Sequence, residues 1–464
     1  MTLTPPSSKA TYDVDVALLR ARVRELMPQT RADLERLVRI PSVSAPAFDQ
    51  AHVQASADAV AALLEELGLP EVGQYRAGDP DGGLGAPAVI ARRPAPAGAP
   101  TVLLYAHHDV QPPGDAADWI SPPFEPAERG GRLFGRGATD DKAGLMVHVA
   151  ALRALGEELG VGVTVFVEGE EEIGSPTFTA FLAEHEERLA ADVIVVADSG
   201  NWRLGVPALT TSLRGLVDGT ITVRTLDHAV HSGMYGGAAL DAMTATIRLL
   251  DSLWDADGTC AVPGLKTGES AEPGYPEEDL RGDVGVLDGV ELIGTGSLTS
   301  RLWTRPCITI IGIDAPGVAH ASNTLLPAVR VKFSLRIAPG QDPQAAFDAL
   351  SAHLRANAPW GALVDVQVGE LGDGFAGDRD GPAYRAARWA LEQSWQTPPV
   401  DMGLGGSIPF IAKLCEVYPS AEVLVTGVED PDGRAHGANE SVHLDELERA
   451  CVAEALLLAA LARP

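Results

Sequence analysis

The first 212 residues contain apolar runs of strand length separated by segments with apolar residues at helical spacing. The runs cover residues 101–106, 161–167 and 192–197, and such continuous runs are typical of parallel strands that are covered on both faces. A buried helix is predicted at 145–155. Strands that alternate with helices predict an α/β domain with a mostly parallel sheet flanked by helices, whose ligands bind beyond the carboxyl ends of the strands.

Two further helical regions precede this alternation. Residues 14–39 carry apolar side chains at helical spacing, but Pro28 interrupts the pattern, so we expect two amphipathic helices there. A further helix is predicted at 55–67, and Ser175 with Pro176 forms a start signal for another.

From about residue 213 the pattern changes to the period of two that half-buried strands have. Strands are predicted at 216–223, 329–337 and 362–368, with helices at 237–254 and 342–356. Strands combined with two helices favour a smaller α+β domain of split βαβ type.

The smaller domain is predicted to be inserted into the larger one, because a helix at 384–395 and a strand at 421–426 resume the first pattern. We therefore expect a catalytic domain formed by 1–212 and 372–464, and an inserted lid or dimerisation domain at 213–371.

The composition and net charge disfavour several classes of protein. The 464 residues carry a formal net charge of −29 and a sequence pI near 4.7, which disfavours binding to nucleic acid or to an anionic membrane. The four cysteines form no C-x-x-C pair, and a disulfide framework is not expected in a chain of this size. The N-terminus lacks a basic segment followed by an apolar one, so a cytoplasmic protein is predicted.

Histidines and acids follow the predicted strands. Together they suggest a two-metal hydrolytic centre, because nitrogen and oxygen ligands suit zinc, manganese or cobalt, and a free acid beside a ligand could serve as a base. The candidate ligands are His107, Asp140, Glu172, Asp198 and His436, with Glu171 beside one of them and Asp109 placed to orient His107.

Each of these residues alone has an ordinary structural alternative. His107 could be a buried histidine with satisfied hydrogen bonds, and Asp140 or Thr139 could cap the helix that follows. The acidic run at 168–172 could be a solvated face, and Asp198 could be a turn residue.

Motifs along nearly the whole chain resemble the dinuclear-zinc metallopeptidases that include carnosinases, bacterial dipeptidases, succinyl-diaminopimelate desuccinylase and aminoacylases. The resemblance is strongest to the carnosinase-like dipeptidase branch. The matching motifs are RIPSVS, AHHDVQP, GRGATDDK, EGEEE, VADSGNW, VHSG, GGSIP and AHGANE.

The resemblance implies a division of roles at two zinc ions, with manganese or cobalt possible. His107 and Asp198 would hold one ion, Glu172 and His436 the other, and Asp140 would bridge both. Asp109 would orient His107. Glu171 would be the general base toward a water that bridges the ions, and the peptide between Asp140 and Asp141 would be cis.

The resemblance also assigns substrate contacts. His231 would stabilise the oxyanion in the site of the partner subunit, which implies a homodimer. Arg336 would bind the terminal carboxylate of the substrate, and Asn323 and Ser407 would contact the substrate. The sequence alone leaves a surface histidine, a solvated strand arginine and two turn residues as the alternatives.

One position departs from the family pattern. Leu404 stands where an acid tends to precede Gly-Gly-Ser in eukaryotic carnosinase-like members, so recognition of a free substrate amine is in doubt. The predicted activity is hydrolysis of dipeptides. An N-acyl-amino-acid amidohydrolase or carboxypeptidase with the same metal site is the alternative, followed by a non-catalytic binding protein on the same fold.

Overall fold

The computed structural model describes residues 12–79, 82–270, 273–405 and 409–462. The helices of these residues are α1 (Val16–Val38), α2 (Ala51–Glu66), α3 (Lys142–Leu155), α4 (Phe178–Leu189), α5 (Ser232–Tyr235), α6 (Ala242–Asp251), α7 (Glu277–Val284), α8 (Leu298–Trp303), α9 (Pro343–Ala356), α10 (Pro382–Trp395), α11 (Pro409–Val417) and α12 (Leu444–Leu461). The strands are β1 (Glu71–Tyr75), β2 (Ala88–Arg93), β3 (Thr101–His107), β4 (Ala127–Arg129), β5 (Arg132–Phe134), β6 (Gly162–Glu168), β7 (Val193–Val196), β8 (Ala208–Leu213), β9 (Gly215–Arg224), β10 (Val230–His231), β11 (Cys307–Asp314), β12 (Thr324–Leu325), β13 (Ala328–Ile337), β14 (Leu363–Gly372), β15 (Phe375–Ala376), β16 (Val400–Leu404), β17 (Glu422–Val425) and β18 (Ser441–His443).

Internal contacts divide the chain into two compact units. The first contains Met1–Thr211, Gly377–Met402 and Lys413–Pro464, and the second contains Ser212–Ala376 and Gly403–Ala412. The chain therefore passes from the first unit to the second within β8. Residues 403–412 belong to the second unit here, whereas the sequence boundaries gave them to the catalytic domain.

The largest sheet has the order β1-β2-β6-β3-β7-β17-β8-β15, with β16 paired to β8. Its central strands β6, β3, β7 and β17 are parallel, while β1 and β2 on one side and β8 on the other run antiparallel to their neighbours. The predicted α/β class is confirmed, and the sheet is mixed because antiparallel strands extend a parallel centre.

The central strands are mainly apolar because both of their faces are covered. Every residue of β6 is buried, and so is β7. Helices α1, α3 and α12 pack against one another, and their buried side chains share one core cluster with β3 and β6. This burial fixes the strand ends that carry the polar residues.

The expectation of two helices at 14–39 is wrong. A single helix, α1, includes Pro28. Proline removes one backbone donor and clashes with the preceding turn, but α1 buries Leu19, Val23, Leu34 and Leu37 in the core. Packing along one continuous face outweighs the local cost of the proline.

The second unit contains a four-stranded antiparallel sheet of order β11-β13-β9-β14. Alternate residues of β9 and β13 are buried, and they form one core cluster with residues of α6 and α9. In the second unit, therefore, the period of two seen in the sequence marks a sheet with a single covered face.

Among the helices of the described residues, none combines the length and apolar character that crossing a membrane requires.

Candidate metal centre

The sheet brings His107 and Asp198 together at its carboxyl edge. His107 ends β3, Asp198 lies two residues beyond the end of β7, and these neighbouring parallel strands pair Tyr105 with Val196. Because parallel strands end at the same edge, the two side chains converge, and His107 Nε2 lies 3.9 Å from Asp198 Oδ1.

Asp140 lies between two histidines. Its Oδ1 is 3.0 Å from His107 Nε2, and its Oδ2 is 2.9 Å from His436 Nε2. The two oxygens of one carboxylate therefore face different imidazoles, as a bridging ligand requires. The expected cis peptide between Asp140 and Asp141 is confirmed.

Glu172 completes the arrangement around His436. Its Oε2 is 3.2 Å from His436 Nε2, while Gln111 donates from its backbone N–H to Oε1 at 3.0 Å and from its side chain to Oε2 at 2.9 Å. The Gln111 side chain also donates to the Glu172 carbonyl at 3.0 Å. Gln111 thus fixes both the main chain and the carboxylate of Glu172.

Asp109 contacts both His107 and the acidic segment. Its Oδ1 is 3.4 Å from His107 Nδ1, and the nearer partner of that nitrogen is the Asp109 carbonyl oxygen at 3.1 Å. The carboxylate also accepts the backbone N–H groups of Glu171 at 3.2 Å and Glu172 at 3.1 Å. Asp109 therefore ties the end of β3 to the segment that carries both glutamates.

Glu171 lies close to His107 and Asp198. One of its carboxylate oxygens falls within a group of atoms from His107 and Asp198 that all lie within 4.8 Å of one another. Burial, followed by the charge of Asp198, raises the pKa of Glu171 well above its usual value, although His107 opposes the shift. A carboxylate in this position accepts a proton readily.

Electrostatics favours cations beside these groups. Burial raises the pKa of Asp198 to about 7, with the charges of Asp140 and Glu172 adding to the effect and that of His107 opposing it. Burial and the charge of Asp140 also raise the pKa of Glu172. Carboxylates buried at such short separations repel one another, and divalent cations would neutralise them. The donor set of carboxylate and imidazole fits such ions.

The same carboxylates raise the pKa of both histidines. Burial alone would lower the pKa of His107, but its hydrogen bonds with Asp109 and Asp140 hold it well above the usual value. Hydrogen bonds with Asp140 and Glu172 raise the pKa of His436 to about 11. Each imidazole therefore lies where a cation would satisfy the same acids.

One acid of the cluster was not predicted from the sequence. Glu429, shortly after β17, offers an oxygen that lies within 4.8 Å of oxygens of Asp140 and Asp198. Burial, followed by the charges of those two residues, raises the pKa of Glu429 well above its usual value. Its position beyond a parallel strand was the available signal, since the other acids share it.

His231 and Asn323 lie close together in the second unit. The short ladder of β10 and β12 pairs His231 with Thr324, and the Asn323 carbonyl accepts the Ser232 N–H at 2.9 Å. His231 is exposed, and its Nδ1 accepts the Gly233 N–H at 3.0 Å. While Nδ1 accepts this hydrogen bond, Nε2 is the ring nitrogen that can donate.

Arg336 lies elsewhere in that unit, on β13, and is half-buried. Burial lowers the pKa of the neighbouring Arg214, and the charge of Arg336 adds to this effect. Two nearby guanidinium groups favour an anion. Ser407, the remaining predicted contact, lies outside the described residues.

Comparison with known proteins adds independent information. The model of peptidase family M20/M25/M40 matches residues 103–460. A cysteinylglycine-S-conjugate dipeptidase from Corynebacterium striatum is 38% identical over 422 residues, covering 89% of this chain and 91% of that protein. A rat (Rattus norvegicus) Beta-Ala-His dipeptidase is 30% identical over 366 residues, covering 74% and 73% of the two chains. This chain belongs to peptidase family M20/M25/M40.

The fold agrees with that assignment. The crystal structure of human carnosine dipeptidase 1 superposes with a TM-score of 0.79 at 24% identity, covering 98% of this chain and 100% of that one. The predicted family, its carnosinase-like dipeptidase branch and the prediction of a metallo-dipeptidase are confirmed. The individual roles of the site residues stay predictions.

Proposed function

We propose that this member of the M20 family hydrolyses the peptide bond of dipeptides with two divalent metal ions. His107, Asp140 and Asp198 would hold one ion, and Asp140, Glu172 and His436 the other. Zinc is the proposed metal, with manganese or cobalt as alternatives that the same ligands accept.

One observation carries this proposal. The two oxygens of Asp140 lie 3.0 Å from His107 Nε2 and 2.9 Å from His436 Nε2. Residues almost 330 positions apart in the chain thus face a single carboxylate, with a further acid beside each histidine. A structural role alone does not require so many acids around two imidazoles.

When bound, the two ions would lower the pKa of a water and stabilise negative charge on the carbonyl oxygen of the substrate. Glu171 is proposed to accept the proton of the attacking water on its carboxylate and to return it to the departing amine nitrogen. Asp109 would hold His107 through Nδ1, which leaves Nε2 free to act as a ligand.

The second unit is proposed to recognise the substrate. Arg336 would bind the terminal carboxylate with its planar guanidinium, and Asn323 and Ser407 would contact the peptide. His231, which has a donor at Nε2, would stabilise the oxyanion in the site of a partner subunit. A homodimer, and a cytoplasmic location, are therefore part of the proposal.

A second candidate differs only in the substrate. Leu404 is a half-buried apolar residue of β16 at the position discussed above, so it supplies no charge for a free amine. This observation favours an N-acyl-amino-acid amidohydrolase or carboxypeptidase. The relatives named above are called dipeptidases, which favours the first candidate.

A substrate panel with the metal-loaded protein tests these alternatives. We would compare kcat/KM for cysteinylglycine and its S-conjugates, β-alanyl-histidine and other dipeptides with the values for their N-acetylated forms. The proposal expects the free dipeptides to be preferred. Turnover of the acetylated forms alone would establish the second candidate, and no turnover of either set would refute both.

A further inference from the structure

A buried ion pair joins the turn that carries Asp140 to the loop that carries His436. Arg136 Nη1 donates to Glu440 Oε2 at 2.6 Å, and the two side chains are 2% and 0% exposed. A buried pair contributes little to stability by itself, because desolvation offsets the attraction between the charges. The role of the pair therefore follows from the other contacts of Arg136 and Glu440.

Glu440 organises the backbone that leads to Asp140. Its Oε2 also accepts the Gly137 N–H at 3.0 Å, and its Oε1 accepts the N–H groups of Thr139 at 3.0 Å and Asp140 at 3.2 Å. The carboxylate thus has four donors across five consecutive residues. The main chain of Asp140 is fixed directly by one of these hydrogen bonds.

Arg136 reaches the other loop. Its Nη2 donates to the carbonyl of His436 at 3.0 Å and to that of Pro112 at 3.3 Å, and the guanidinium lies 5.5 Å from the ring centroid of Trp119. His436 needs such support. It has a left-handed backbone with φ of 62°, belongs to no strand, and its side chain is 60% exposed.

We propose that Arg136 and Glu440 are positioning residues that set the separation of Asp140 and His436, and so the affinity for the cation that both would hold with Glu172. This inference rests on the proposed two-metal function. The other cation would share Asp140, but its remaining ligands are His107, which ends β3, and Asp198, which follows β7. The pairing of these two strands does not involve Arg136 or Glu440. Loss of the pair should therefore weaken one cation site selectively.

Metal titration of the apoprotein tests this selectivity. Arg136→Lys keeps the buried positive charge. Lysine lacks the planar guanidinium, whose two Nη groups donate to Glu440 and to the His436 carbonyl at the same time. We would measure Zn²⁺ binding by competition with a chromogenic chelator. The wild type should bind two ions, and R136K should bind one of them about 10–100-fold more weakly with the other little changed.

Arg132→Lys is the matched control. Arg132, on β5, donates to the Asp430 carboxylate at 2.9 and 3.0 Å and to Ser441 of β18 at 2.8 Å. Neither of these acceptors is one of the five proposed ligands. R132K should bind both ions as the wild type does. Glu440→Gln, which keeps one carbonyl oxygen for Thr139 and Asp140, is a second variant expected to weaken the same ion as R136K.

Three results would overturn the inference. R136K could weaken both ions equally, or it could lower the melting temperature of the apoprotein while both affinities stay unchanged, or R132K could reproduce its effect. If R136K does not fold, the same titration of E440Q decides. A wild type that binds fewer than two ions would instead refute the proposed metal centre itself.

Discussion

The two compact units differ in how their candidate residues come together. In the first unit, acids and histidines from five chain segments converge within hydrogen-bond distance or slightly beyond it. His107 and Asp140 are buried, the other acids are half-buried, and His436 is exposed. In the second, His231 and Asn323 are exposed neighbours, while Arg336 lies on a different strand. The edge of a parallel sheet brings polar groups from remote segments together, and two loops add Asp140 and His436 to them. The candidate substrate contacts of the second unit share no such edge.

The sharpest test of this contrast is removal of the metal. Chelation should abolish hydrolysis completely and should lower the stability of the first unit, because binding at 100 times the dissociation constant contributes about 2.7 kcal/mol per site. Activity and thermal unfolding would be followed before chelation, after it and after Zn²⁺ is returned. Full activity in the chelated protein would contradict the proposed centre.

Glu171→Gln should have the next largest effect. The amide cannot accept the proton of the attacking water, so kcat should fall by about 10²–10⁴-fold while two ions still bind. Glu184→Gln, at an exposed position on α4 of the same unit, is the control and should retain wild-type kcat. A variant that loses metal together with activity would indicate that Glu171 is a ligand instead.

His231→Ala tests the corresponding prediction for the second unit. Loss of one oxyanion donor should lower kcat by about 10²–10³-fold. If His231 acts in the partner's site, mixing H231A with E171Q should restore about a quarter of the wild-type activity, since half of the dimers are mixed and each has one intact site. His228→Ala, at an exposed position nearby, should behave as the wild type.

Failure to regain activity on mixing would mean that His231 acts within its own subunit or outside the reaction. Size-exclusion chromatography of the same samples would show whether a dimer is present in each case.

Arg336→Lys should have the smallest effect. Lysine keeps the charge but loses the two-pronged contact, so KM for dipeptides should rise about tenfold with kcat nearly unchanged. Arg330→Lys on the same strand is the control, because Arg330 is exposed and pairs with Asp314 at 2.7 Å. An equal rise in KM for both variants would show that Arg336 has no specific contact with the substrate.

Much of the metal centre could be predicted because its residues follow apolar runs. His107 and Asp198 come after strands that the sequence marks clearly, and the carboxyl ends of parallel strands meet. His436 could be predicted mainly from its motif, since its loop has no periodic pattern. Glu429 was missed although it follows β17, because a single acid in an Asp-rich loop resembles a turn residue.

Other features depended on packing and could not be predicted. Pro28 indicated a break between two helices, yet α1 continues through it because its apolar face is buried along the whole length. The antiparallel strands that extend the parallel centre carry no signal of their own direction. Hydrophobic periodicity indicates which face of a helix or strand is buried. It does not indicate which elements pack or pair with that helix or strand.

By itself, the sequence determined the class of fold, the family and the chemical nature of the centre, because strand length, burial pattern and donor type are local properties. Only the tertiary structure decided that one carboxylate faces two histidines and that Arg136 and Glu440 join the loops that carry Asp140 and His436. These relations depend on distances between remote segments. Sheet pairing and buried hydrogen bonds fix such distances, and no local pattern encodes them.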